Sequence, residues 1–159
     1  MVISFSDAAQ TRERLQLRDG QKLVFTNGCF DVLHAGHVRY LEGARAKGDA
    51  LVVGLNGDAS VRELKGANRP INNEDDRAEV VAGLRSVDAV IIFPDVRATA
   101  LIERLKPDVY IKGGDYTVES LNPEERAVLD RIGCEIAFVP LLPGRSTTST
   151  LAKMAGAAK

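Results

Sequence analysis

"TNGCFDVLHAGHVRYLEGARAKGD", residues 26–49, holds both histidines of the chain, His34 and His37, on either side of Gly36. The stretch begins where an apolar run, "KLVFTN" (22–27), gives out, and it continues into a segment with apolar residues at helical spacing. "HAGH" therefore places His34 just before, and His37 just inside, the first turn of a helix that follows a strand. A helix start is already an anion site, because its unpaired N–H groups and its dipole face whatever binds there. Two imidazoles at that point add donors. Such a cluster suits nucleotide phosphates, and above all the charge that develops on phosphorus oxygens during displacement.

Outward from this stretch, apolar runs and polar helical segments alternate. "KLVFTN" (22–27), "ALVVGLN" (50–56), "AVIIF" (89–93), "VYIKG" (109–113) and "EIAFVP" (135–140) are β-branched or aromatic runs of strand length, bounded by Gly, Pro, Asn or Asp. Between them lie four segments with helical spacing: "GHVRYLEGARAKG", "NNEDDRAEVVAGLRS", "RATALIERLK" and "NPEERAVLDRIG". Asn73 is placed to cap a helix whose first turn carries Glu74, Asp75 and Asp76, and Gly48 follows Lys47 as a helix-ending glycine. Strands that are apolar throughout are those buried on both faces of a parallel sheet. With right-handed crossovers they predict an α/β, doubly wound, Rossmann-like five-stranded parallel sheet in a single domain, preceded by a short amphipathic start. Ligands of such sheets bind beyond the carboxyl ends of the strands, where the loops after the first and fourth strands meet.

At 159 residues, the chain suits one well-buried core. Apolar residues make up 45% and charged residues 27%, the balance of a globular protein. The net charge of -1, with Lys and Arg scattered, offers no basic surface for nucleic acid. No run approaches the ~20 apolar residues of a membrane span, and the amino end has no apolar core of a signal peptide. A cytoplasmic location is the expectation. Cys29 and Cys134 lie far apart and read as free thiols.

Zinc is the sharper rival for the histidines, since Cys29 is near them in sequence. Its spacing with His34 and His37 fits no usual zinc pattern, and recruiting Cys134 would require the first and fifth strands to converge. No protein metal site is expected. A P-loop, G-x-x-x-x-G-K-[ST], is absent, as is a dinucleotide G-x-G-x-x-G after the first strand, which argues against P-loop NTPase and dehydrogenase chemistry.

"GCFDVLHAGHVRYLEGARAKGD" resembles the signature of the HxGH nucleotidyltransferase superfamily, which includes cytidylyltransferases and several adenylyltransferases. "GLNGDASVRELKGANRPINNEDDRAEVVAGLRSVDAVIIF", "PDVYIKGGDYTVESL" and "GRSTTSTL" are together similar to the adenylyltransferase domain acting on D-glycero-D-manno-heptose 1-phosphate, which occurs free and fused to a sugar kinase. The likeness covers about residues 20–153. It implies one nucleotidyltransferase domain over 1–159 that joins AMP from ATP to a sugar 1-phosphate, with Mg²⁺ carried by the ATP phosphates and pyrophosphate released. It also implies a homodimer working beside a separate heptose 7-phosphate kinase in ADP-heptose biosynthesis. The alternative is a cytidylyltransferase acting on a polyol phosphate such as glycerol 3-phosphate. Against CTP stand Arg145, at a position often apolar in cytidylyltransferases, and Leu141, in place of their upstream Arg.

The same resemblance implies residue roles. His34 and His37 contact the nucleotide phosphates as electrostatic catalysts. Asn27, Gly28, Cys29 and Phe30 pass the triphosphate and sugar with their backbone, although Phe30 also reads as core. Asp31 stands where the family presents a carboxylate to the acceptor. Lys65 and Arg69, in "LKGANRP", belong to a mobile basic loop over the phosphates, Lys65 serving the transition state and Arg69 the acceptor or leaving group. Arg77 and Arg85 match basic positions that reach the site in cytidylyltransferases, and equally read as solvated helix charges. Gly113 and Gly114 permit close approach to a base or ribose. Lys112 and Asp115 suit the sugar phosphate and its hydroxyls, while "KGGD" is also an ordinary turn composition. Ser146, Thr147 and Thr148 form a second phosphate-binding helix start, a reading compatible with plain helix capping.

Overall fold

The computed structural model describes residues 1–114, 117, 120–140, 147, 150, 151 and 156. Its elements are β1 (Val2–Ile3), a 3-10 turn (Phe5–Gln10), α1 (Thr11–Arg14), β2 (Leu23–Gly28), α2 (Ala35–Arg45), β3 (Ala50–Asn56), α3 (Asp58–Lys65), α4 (Glu74–Ala82), β4 (Ala89–Phe93), α5 (Thr99–Leu105), β5 (Val109–Gly113), α6 (Pro123–Ile132) and β6 (Glu135–Val139). The strands form one sheet in the order β1-β4-β3-β2-β5-β6, and every pairing is parallel. The sheet thus has six strands, not five. The additional one, β1, is two residues at the edge, where Val2 and Ile3 pair with Val90 and Ile91. It is too short to show as a strand-length apolar run.

The direction of winding reverses between β2 and β5, which lie side by side. This is the switch point at which a doubly wound sheet opens a crevice beyond its carboxyl edge. Alternate residues of each strand feed opposite layers. Leu23, Phe25, Ala50 and Val52 pack with Leu101, Ile102, Leu105, Val128 and Leu129 of α5 and α6. Val24, Leu51, Val53 and Leu55 pack with Tyr40, Leu41, Ala78 and Val81 of α2 and α4. The described helices include α3, which the strand-and-helix alternation did not predict. No helix among the described residues is long and apolar enough to cross a membrane.

The amino edge of the sheet is pinned by three aspartates, each standing one residue before a strand. Asp49 accepts the Lys22 N–H at 2.7 Å, Asp88 the Leu51 N–H at 2.7 Å and Asp108 the Leu23 N–H at 2.6 Å. Each carboxylate thereby ties the start of its own strand to the start of a neighbour. Asn73 caps α4 as expected, its Oδ1 accepting the Asp76 N–H at 2.8 Å. Gly48 does not adopt the left-handed conformation expected of a helix-ending glycine. It is needed for close packing: a Cβ there would lie 2.5 Å from Val24 Cγ2 and 2.8 Å from the Lys22 carbonyl oxygen.

Candidate active site

The turn out of β2 is built around a missing side chain. A Cβ on Gly28 would meet Phe30 Cε2 at 3.0 Å, so glycine lets the Phe30 ring fold back over the strand end. Phe30 itself has φ 44°, a left-handed conformation that costs a non-glycine residue roughly 1–3 kcal/mol. Burial of its ring, only 6% exposed, and a tilted contact with the His37 ring at 5.4 Å offset that strain.

The two histidines cap the helix reciprocally. His34 Nδ1 accepts the Gly36 N–H at 3.1 Å, and His37 Nδ1 accepts the His34 N–H at 3.3 Å. The rings stack with centroids 4.0 Å apart. Because each Nδ1 is an acceptor, the ring proton of each neutral imidazole resides on Nε2. The bonds that cap the helix therefore also set the tautomer and leave both Nε2–H groups as donors. Burial, and then the neighbouring His34, push the pKa of His37 down to about 4. His37 is thus a neutral donor at physiological pH.

Asp31 is 3% exposed and fully engaged. Its carboxylate pairs with Arg69 Nε and accepts the N–H groups of Ile71 at 2.7 Å and Asn72 at 3.3 Å. It therefore anchors the segment after α3. Arg69 lies against Asp31 rather than on an unanchored loop, whereas Lys65 is exposed at the end of α3. Arg77, expected at the substrate, is 2% exposed inside the protein. Its guanidinium donates to the carbonyls of Cys29 at 2.6 Å and Asn72 at 3.0 Å, and to Asp58 Oδ1 at 2.7 Å. It knots the β2 turn, the Arg69 segment and the start of α3 together. Arg85, the other expected basic contact, is exposed between α4 and β4, beside Asp88 at the amino edge. The site is at the opposite edge, so Arg85 is not brought to it.

Beyond β5, a buried polar network forms the second wall. Lys112 Nζ donates to Asn27 Oδ1 at 3.2 Å, stands 3.8 Å from Glu125 Oε2 and lies over the Tyr110 ring at 5.2 Å. Tyr110 Oη also donates to Asn27 Oδ1, at 2.8 Å. Burial lowers the pKa of Lys112, and the charge of Glu125 opposes that shift. The third wall is the segment between β4 and α5. Asn56 Nδ2 donates to the carbonyls of Asp95 at 3.2 Å and Val96 at 3.4 Å, while Glu125 Oε1 accepts the Ala98 N–H at 3.1 Å.

These walls enclose a cavity of about 830 Å³. Of the residues expected at the site, Asn27, Gly28, Cys29, Phe30, Asp31, His34, His37, Lys65, Arg69, Lys112 and Thr147 line it. Thr147 Oγ1 donates to the Val32 carbonyl at 3.0 Å. Gly113 and Gly114 stand just past Lys112, Gly114 with φ 89° and its N–H bonded to the Val139 carbonyl at 3.2 Å. Asp115, Ser146 and Thr148 lie outside the described residues, as do Leu141 and Arg145. The sequence reading missed Asn56, Arg97, Asn122 and Glu125, which also line the cavity. Asn56 ends β3 and Arg97 lies in the segment after β4, so the rule that ligands bind at the carboxyl edge already marked both positions.

Both cysteines are free. Cys29 lines the cavity, and burial raises its pKa; Cys134 stands just before β6 at the amino edge, where burial pushes its thiol up to about 12. They stand at opposite edges of the sheet and cannot share a metal. Among the described residues no three His, Cys, Asp or Glu side chains gather around a point that could hold a metal ion. A divalent cation carried by phosphate oxygens, which keeps several waters, fits such a site without a protein cage.

Comparison with known proteins agrees with this geometry. The family model described as cytidylyltransferase-like matches residues 25–153. The chain is 50% identical over 135 residues to the bifunctional protein HldE of Aliarcobacter butzleri, covering 85% of this chain and 27% of that protein. To the HldE of Pseudomonas paraeruginosa it is 51% identical over 135 residues, covering 85% and 28%. The chain thus spans little more than a quarter of the length of these curated relatives. Among solved structures, the lipopolysaccharide core biosynthesis protein of Thermoplasma volcanium superposes with a TM-score of 0.63 at 27% identity, covering 77% of this chain and 98% of that one. Pantoate-beta-alanine ligase of Francisella tularensis, in complex with an ATP ligand and β-alanine, shares the fold with a TM-score of 0.60 at 14% identity, covering 93% of this chain and 69% of the ligase. With its paired histidines capping the helix after β2 and a family match over most of its length, the chain belongs to the cytidylyltransferase-like family.

Proposed function

We propose that this chain, as one nucleotidyltransferase domain over residues 1–159, transfers AMP from ATP to a sugar 1-phosphate, D-glycero-D-manno-heptose 1-phosphate, giving ADP-heptose and pyrophosphate. The observation that carries the reading is the His34–His37 pair. Its reciprocal caps fix both Nδ1 atoms as acceptors and leave two Nε2–H donors beside the first turn of α2. An oxygen of the acceptor phosphate forms a bond to the α-phosphorus of ATP as the bond from that phosphorus to the β-phosphate bridging oxygen breaks. The attacking oxygen is already ionised, so no general base is needed. Catalysis is then alignment plus stabilisation of charge on the α-phosphoryl oxygens.

In this reading His34, His37 and the amide groups of the β2 turn hold the α-phosphate. Lys65 meets the leaving pyrophosphate, and Arg69, steadied by Asp31, borders the acceptor. Lys112 borders the sugar. Gly113 and Gly114 approach base and ribose, and Ser146, Thr147 and Thr148 take a phosphate. Mg²⁺ on the ATP phosphates supplies further charge neutralisation. The heptose assignment rests on the long resemblance in sequence and on about 50% identity to bifunctional relatives of which this chain matches only a part. A homodimer and a separate heptose 7-phosphate kinase complete the proposal. The polyol-phosphate alternative with CTP is disfavoured by Leu141 and Arg145.

The test is pyrophosphate release with ATP, CTP, GTP and UTP against heptose 1-phosphate, glycerol 3-phosphate and other sugar phosphates. Turnover confined to ATP with heptose 1-phosphate is expected. Preference for CTP with glycerol 3-phosphate would give the case to the alternative.

A further inference from the structure

Four basic side chains line the cavity: Lys65, Arg69, Lys112 and Arg97. Arg69 is paired with Asp31, and Lys112 with Glu125. Among the described residues, Lys65 and Arg97 form no ion pair. Lys65 ends α3, which follows β3, and Arg97 follows β4. The residues assigned to the nucleotide belong to the turns after β2 and β5, which flank the switch point, with β3 next to β2 and β4 one strand farther out. Arg97, after the farther of these strands, therefore borders the part of the cavity that the nucleotide leaves over.

Arg97 stands on an unusually constrained piece of chain. Asn56, 2% exposed, holds the carbonyls of the two preceding residues, and Glu125, 5% exposed, holds the N–H of the following one. Both are buried polar side chains, from β3 and α6, spent on fixing backbone on either side of an exposed arginine. Strands lie ~4.8 Å apart, so β4 ends about 10 Å from β2, a distance an extended arginine and a phosphate largely bridge. A guanidinium on a fixed base suits a phosphate, which it grips with two parallel N–H donors.

On the functional reading above, we propose that Arg97 is a specificity-determining residue that receives the phosphomonoester of the acceptor. Its guanidinium grips two phosphate oxygens and leaves another to face the α-phosphorus. The family resemblance drew attention to Lys65, Arg69, Arg77, Arg85 and Lys112 and not to Arg97, so Arg97 is an assignment from geometry.

The test compares wild type, R97A and R97K in steady-state kinetics. R97A should raise the KM for heptose 1-phosphate on the order of tenfold or more, the scale of a lost charged hydrogen bond, and leave the KM for ATP within about twofold. R97K should restore part of the loss, since it keeps the charge but not the fork. An unchanged acceptor KM, a change in the ATP KM alone, or equal losses on both substrates would overturn the proposal. If wild type instead uses CTP with glycerol 3-phosphate, the functional reading fails while the same variants still test Arg97 against that acceptor. If neither pair turns over, calorimetric titration with heptose 1-phosphate decides: binding at least ~10-fold weaker in R97A supports the assignment, and equal or undetectable binding to both proteins overturns it.

Discussion

Replacing Arg77 with methionine keeps most of the side-chain volume and deletes the guanidinium. Three partners lose a donor at once: the Cys29 carbonyl, the Asn72 carbonyl and Asp58. Breaking a buried ion pair costs about 3–5 kcal/mol, much of it from the group left behind. The Asp58 side chain is 22% exposed and recovers some water, while the two carbonyls add to the loss, so about 3–5 kcal/mol stands as the total. At about 2–4 °C per kcal/mol for a chain of this size, R77M should melt roughly 6–20 °C below wild type by calorimetry. R77K, which retains the charge opposite Asp58 but not all three bonds, should fall between. If R77M melted within about 2 °C of wild type and raised the acceptor KM, Arg77 would be a substrate ligand and the reasoning from its burial refuted.

Loss of either Nε2–H donor, by His34→Ala or His37→Ala, should lower kcat by ~100-fold or more with little change in ATP affinity, measured by pyrophosphate release. The depressed pKa of His37 has a second effect. The unfolded chain binds a proton near 6.5 and the folded one only near 4, so stability should fall as pH drops through that window; His37→Gln should flatten the slope of melting temperature against pH. Lys65→Ala should reduce kcat and kcat/KM together while the KM for ATP holds, because a cation at an exposed helix end meets the leaving group only as charge builds on it. Gly48→Ala should destabilise by about 1–3 kcal/mol in urea titration, since the new methyl would overlap Val24 and the Lys22 backbone.

The five strands that were legible are long apolar runs, and the structure reproduces them within a residue of their expected bounds. What stayed hidden is physically different. β1 has two residues, and α3 buries only Ser60 and Val61, leaving Leu64 45% exposed, so neither carries enough apolar repeat to show a period. The histidine wall was readable because one contiguous stretch makes it. The opposite wall joins Asn56, Arg97 and Glu125 from three distant segments, and nothing local marks their convergence. Arg85 teaches the reverse lesson: a residue just before a strand must lie at the amino edge of a parallel sheet, and topology alone excluded it. Asp31 lines the cavity while Arg77 does not, and both are buried in bonds that hold its walls in place.

Asp49, Asp88 and Asp108 lock the strands together at the edge opposite the cavity. Alignment of the sheet is therefore stored in one set of loops and chemistry in the other. Variation at Arg97, Lys65 or the 113–117 stretch can accumulate without disturbing those carboxylates. A lineage built on this sheet is free to exchange one acceptor for another by changes that leave folding almost untouched, and stability measurements on its members would not register that their products had diverged.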